Sequence, residues 1–197
     1  NFDRLVENGA ELVWFSALED DRLPEDIHGI YFGGGYPELH AVRLAANQGL
    51  KNQVLASSRA GMPIYGECGG LMYLGDSLQD LEGRRHAMTG CLPLKTRMLT
   101  RLRALGYRQV QLEADNLLGE TGLVVRGHEF HYSEIIGGIE ALNTTYRLQP
   151  RNGESFVREG YWRRRTLGSY VHLHFGSAPR VAANFVTHCR RYRDRRD

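Results

Sequence analysis

Apolar residues at Phe2, Leu5 and Val6 space as one helix face, and Asn8-Gly9 stops the run. The apolar run Glu11–Phe15 predicts a strand, and the polar stretch from Asp20 to Asp26, with Pro24, predicts a loop. Gly29–Phe32 predicts a second, short strand. Helical spacing returns at Leu39, Val42, Leu44 and Ala45, then at Leu50, Val54 and Leu55, and ends at Gly61. Pro63-Ile64-Tyr65 begins another strand. Alternation of helix and strand over the first 75 residues predicts an α/β fold with a parallel sheet covered on both faces. An α/β unit that opens on a helix implies that its first strand lies just ahead of residue 1. Asn rather than Met at that position reads as a processed or excised chain.

The second half has another character. Val110–Glu113, Gly122–Arg126, Glu129–Ser133, Tyr146–Leu148 and Ser155–Val157 are short extended runs divided by Gly, Asn and Pro, which predicts antiparallel strands added to the sheet. Leu167–Phe175 predicts one more strand. Ser177-Ala178-Pro179 starts a last helix with Ser as its cap, and Val181, Phe185, Val186 and Cys189 form its inner face. The tail from Arg190 to Asp197 carries five arginines and reads as a solvated helix end.

Composition narrows the picture only a little. A chain of 197 residues with 42% apolar content suits one domain with a sizeable core. A formal net charge of +2 gives no pull toward nucleic acid, and no run is long enough to span a membrane. Three widely spaced cysteines (Cys68, Cys91, Cys189) with no CxxC fit a reducing cytoplasm.

Chemistry concentrates at Gly66-Glu67-Cys68-Gly69-Gly70, between a buried strand and an apolar helix. The spacing is that of a nucleophile elbow, with Cys68 in the place of the usual Ser. Residues without Cβ are needed there because the turn crowds its neighbours. The Gly69 amide is a candidate oxyanion donor, and a helix N-terminus is expected to lower the Cys68 pKa. Gly33-Gly34-Gly35 follows a strand and supplies candidates for the second donor, Gly34 or Gly35. It is neither a P-loop nor a Rossmann fingerprint, because the required spacings are absent. His172 and His174 share a strand face, and either could serve the thiol as base. Glu129, His131 and Tyr132 could line the same pocket.

These four stretches together, Gly33–Glu38, Tyr65–Leu74, Gly127–Ser133 and Ser169–Phe175, resemble the class I glutamine amidotransferase domain of the cobyrinic acid a,c-diamide synthase family. The resemblance covers essentially the whole chain, 1–197, in order. It implies a flavodoxin-like, mostly parallel sheet with helices on both faces and added antiparallel strands. It also implies that a glutaminase domain works with an N-terminal ATP-binding synthetase domain absent from this chain. That domain would use ATP and Mg²⁺ to activate corrin carboxylates in cobalamin biosynthesis, while this one hydrolyses L-glutamine without cofactor or metal. Related enzymes act on hydrogenobyrinic acid or nickel sirohydrochlorin. By the resemblance Cys68 is the nucleophile, His172 the base, and Gly69 with Gly34 or Gly35 the oxyanion hole. Most class I domains carry His-x-Glu, but His174 stands here at the Glu position. The candidates to orient His172 are therefore His174, Glu129 or a backbone carbonyl. Two other readings are a stand-alone Cys hydrolase of the same superfamily and a metal-binding protein using His128, His131, His172 and His174.

Overall fold

Ile64–Glu67 is buried at every residue and forms the strand on which the site is built. The computed structural model describes residues 1–149 and 155–195. Up to the elbow the chain forms α1 (Phe2–Glu7), β1 (Ile30–Phe32), α2 (Ala41–Ala46), α3 (Gln48–Arg59), β2 (Ile64–Glu67) and α4 (Gly69–Leu74). Then come β3 (Ser77–Gln79), β4 (Arg85–Ala87), β5 (Lys95–Met98), β6 (Ala104–Leu112), β7 (Val124–His131) and β8 (Ser133–Gly137). The last elements are β9 (Asn143–Leu148), β10 (Val157–Arg163), β11 (Thr166–Ser169), β12 (His172–Leu173) and α5 (Arg180–Arg193). Asn47 caps α3 by accepting from the Leu50 amide at 3.2 Å, and Leu50, Val54 and Ser58 recur at helical spacing on its buried face.

Eight strands form one sheet in the order β1-β2-β11-β10-β9-β6-β7-β12, and β4-β3-β5-β8 form a second. Parallel pairing in the large sheet is confined to β1, β2 and β11, and the other pairs are antiparallel. The α/β reading therefore holds, with a mixed sheet in which the added strands are numerous. Successive residues of β2 serve two cores: Ile64 packs with Leu50, Val54 and Leu71, and Tyr65 with Phe175, Val181 and Phe185. Register pairs Phe32 with Gly66 and Ser169 with Glu67. Gly33, Cys68 and Tyr170 therefore leave the three parallel strands at one end, where ligand crevices form in such sheets.

The sheet curls until β12, at its far edge, returns to β2. The Leu173 amide donates to Glu67 Oε1 at 2.9 Å. On the ladder side β12 pairs with β7, His172 opposite His128. On its other side the Asn1 side chain donates to Leu173 O at 2.8 Å and accepts from the Phe175 amide at 2.9 Å.

Four expectations need correction. Glu11–Phe15 is no strand: among the described residues it has no ladder partner and β1 pairs only with β2, and the two runs line a common groove of about 710 Å³. Gly122–Arg126 and Glu129–Ser133 are not separated by Gly127. That glycine lies inside β7, where a Cβ would stand 2.4 Å from His172 O. Leu167–Phe175 is two strands rather than one, broken at Tyr170-Val171. Ser177 does not cap α5, which starts after Pro179; its hydroxyl donates instead to His174 O at 2.7 Å. In the arginine tail Arg190 donates to Asn8 O at 2.7 Å, while Arg196 and Asp197 lie outside the described residues.

Candidate active site

Cys68 joins β2 to α4 with φ +50° and ψ −102°. A left-handed backbone at a residue with a Cβ costs on the order of 1–3 kcal/mol, so the surroundings must enforce it. Hydrogen bonds do so on both sides: the Cys68 amide donates to Ser169 O at 2.7 Å, and Cys68 O accepts from the Met72 amide at 3.1 Å. The flanking glycines are required by contact. A Cβ on Gly66 would stand 2.6 Å from Leu74 Cδ1, one on Gly69 2.6 Å from Gly35 O, and one on Gly70 2.4 Å from Phe32 O.

The glycine loop after β1 therefore lies against the elbow, and its other side lies against the histidine. A Cβ on Gly34 would stand 2.2 Å from His172 Cε1. His172 stacks on His128 with ring centroids 4.7 Å apart and planes 7° apart. The Cys68 thiol lies 3.7 Å from Phe130 O, which places β7 on the remaining side. Cys68, Gly69, Gly34, Gly35 and His172 are thus gathered at one place, from segments far apart in the chain.

Electrostatics corrects one expectation. The Cys68 pKa is not lowered by the helix but pushed up to about 11. Burial dominates, the Gly69 N–H pulls the other way, and the carboxylates of Glu38, Glu67 and Glu129 add to the rise. The short helix α4 is outweighed. The His172 pKa is lowered by burial, then by His128 and His131. Both shifts favour the neutral form of their group, thiol and imidazole.

The remaining candidates separate. His174 is exposed, with its ring lying over Gly176. It does not hold His172, because the chain has already turned into the 3-10 segment Phe175–Ser177. Glu129 is ion-paired with Arg108, and His131 stacks on Tyr170 with centroids 3.9 Å apart while its Nδ1 meets Ser133 O at 2.8 Å. Both lie on the buried side of β7, opposite His128 and Phe130. Tyr132 is half-exposed and packs edge-on against Phe130. The four histidines of the metal-binding reading do not converge, and no group of three or more His, Cys, Asp or Glu able to hold a metal occurs among the described residues.

Sequence reasoning missed His128 as the stacking partner of His172, and it missed Glu67. That carboxylate accepts from Tyr31 Oη at 2.7 Å, Tyr65 Oη at 2.7 Å and the Leu173 amide at 2.9 Å. Burial pushes its pKa up to about 7 against the pull of these three donors. A signal was present: a charged residue ends an otherwise apolar, fully buried strand.

Residues 1–180 match the family described as the CobB/CobQ-like glutamine amidotransferase domain. The chain is 45% identical over 192 residues to a cobyrinate a,c-diamide synthase from Syntrophotalea carbinolica, with 96% of this chain covered. It is 42% identical over 192 residues to one from Leptospira interrogans and 38% identical over 198 residues to one from Priestia megaterium, with 97% and 100% covered. It spans 42% of the length of each of these relatives. Among solved structures, PurLQS from Thermotoga maritima superposes with TM-score 0.64 at 16% identity, covering 97% of this chain and 90% of that one. A glutamine amidotransferase gives TM-score 0.61 at 18% identity, covering 84% and 80%. These two likenesses support the fold, and the sequence matches carry the rest: the chain belongs to the CobB/CobQ-like glutamine amidotransferase domain family.

Proposed function

We propose that this chain is the glutaminase part of a cobyrinate or hydrogenobyrinate a,c-diamide synthase. The supporting observation is the glycine loop wedged between the Gly69 backbone and the His172 ring, beside a Cys68 held at positive φ. In this reading His172 takes the Cys68 proton as sulfur attacks the side-chain amide carbon of glutamine. The amides of Gly69 and of Gly34 or Gly35 hold the oxyanion. His172 returns the proton to the departing ammonia, which leaves a γ-glutamyl thioester. Water, deprotonated by His172, then attacks that thioester and releases glutamate and the free thiol. The net reaction consumes glutamine and water and yields glutamate and ammonia.

The ammonia passes to an ATP- and Mg²⁺-dependent synthetase domain that amidates the a and c carboxylates of the corrin, in the cytoplasm and within cobalamin biosynthesis. No step in this chain runs through ATP or Mg²⁺. Tyr107 is 83% exposed and pairs in register with His128, and Phe130 beside it is 39% exposed. This outer face of β6 and β7, which carries Leu105, Tyr107 and Phe130 beside polar Gln109 and Arg126, borders the site, and we assign it to contact with that domain. The test uses the full-length enzyme: Cys68→Ser ends glutamine-dependent amidation but leaves ammonia-dependent amidation. Simultaneous loss of both activities in a folded variant would overturn the division of labour.

A further inference from the structure

The mechanism above leaves one buried carboxylate unused. Glu67 is 3% exposed and immediately precedes the nucleophile. Its three hydrogen-bond partners, Tyr31, Tyr65 and the Leu173 amide, are all donors, and they favour the ionised form against the burial that opposes it. Glu67 Oε2 also lies 3.9 Å from His172 Nδ1. That is less than 1 Å beyond hydrogen-bond reach, and contacts at catalytic histidines commonly tighten when substrate binds. No other carboxylate is placed as near the His172 ring among the described residues. Glu129 is committed to Arg108, and position 174, two residues after the base, carries an exposed histidine.

We propose that Glu67 is the positioning residue for His172. It receives the proton-bearing Nδ1, which leaves Nε2 as the acceptor for the Cys68 proton, and it stabilises the imidazolium formed during attack. The inference rests on the glutaminase reading. The fold explains how a residue next to the nucleophile can do this. Alternation turns the Glu67 side chain beneath the sheet end while Cys68 turns at its tip, and the curl of the sheet brings β12 over the carboxylate. One oxygen then fixes the main chain of Leu173 and the other addresses the ring of His172. Tyr31 holds that second oxygen in place and is itself held by the Asn1 amide at 3.0 Å.

The experiment uses the full-length enzyme with Glu67→Gln, Glu67→Asp and Tyr31→Phe. Glu67→Gln keeps the volume and removes the charge. Its glutamine-dependent kcat is expected to fall about 100- to 10,000-fold, with KM within threefold and ammonia-dependent amidation retained. Glu67→Asp should recover at least tenfold of that loss, and Tyr31→Phe should cost only a few-fold. A purely structural role predicts instead a lower melting temperature with kcat per folded molecule unchanged. Nitrogen-15 NMR of the unsubstituted enzyme gives a reading that does not depend on a variant folding: His172 should be the Nδ1–H tautomer. An Nε2–H tautomer there, or a Glu67→Gln enzyme within threefold of full kcat, overturns the proposal. An unsubstituted enzyme inert toward glutamine would instead sink the glutaminase reading itself.

Discussion

Gly34→Ala is the most economical perturbation of the site, because it adds one methyl group to one contact. The backbone at Gly34 is outside the left-handed region, so alanine adopts it without strain. The added Cβ, however, would stand 2.2 Å from His172 Cε1, where ordinary contact begins at 3.4 Å. Ring or loop must retreat by about 1.2 Å, and a displacement near 1 Å can cost about 100-fold in rate. That corresponds to about 2.7 kcal/mol of transition-state stabilisation. Stability should hardly change, since the loop is exposed. Gly33→Ala is the internal control, because a Cβ there meets nothing within 4 Å. The assay is steady-state glutamine hydrolysis by the full-length enzyme, with a melting curve for each variant. The expected result is a kcat down about 100-fold for Gly34→Ala and within twofold for Gly33→Ala. Equal activity of the two variants would refute the claim that His172 works from the position seen here.

His172→Ala should reduce glutamine hydrolysis by about 100- to 10,000-fold, whereas His174→Ala should cost less than threefold; a reversed ranking in the same assay would move the base to His174. A Cys68 pKa of about 11 means that at pH 8 about one thiol in a thousand is ionised, against about one in ten at the ordinary value of 9.0. Alkylation of Cys68 by iodoacetamide, followed by mass spectrometry, should therefore keep accelerating up to about pH 11, and a plateau below pH 8 would contradict the dominance of burial. Gly160 has φ +71°, and a Cβ there would stand 2.4 Å from Cγ of the fully buried Tyr146. Gly160→Ala should destabilise by about 2–5 kcal/mol, read as a fall in the thermal midpoint; a shift under about 2 °C would show that the ring has room to move.

What could be read from the sequence was what is local. The elbow is a strand, a turn, paired glycines and a helix in consecutive residues, so its geometry at Cys68 follows from short-range sterics. The glycine loop was legible for the same reason, though only the fold reveals that Gly34 meets His172 while Gly33 meets nothing. Glu67 was visible as a residue but not as a partner, since Tyr31, Leu173 and His172 reach it only through strand pairing and sheet curl. Glu11–Phe15 has the composition of a strand, but composition cannot supply a neighbour to bond. The thiol pKa was misjudged because a helix N-terminus is visible in sequence and the depth of burial is not.

The strand that carries His172 is two residues long and has a backbone ladder on one side only. On the other side a carboxylate from β2 and an amide from the start of α1 grip it. Such an edge transmits displacement, because a few bonds bear the shear that a full ladder would spread. α1 is in turn anchored to α5 by Arg190 on Asn8 O at 2.7 Å. The start of α1 and the strand that carries His172 therefore share a boundary held by single side chains, Asn1 on one side and Arg190 on the other, rather than by a ladder.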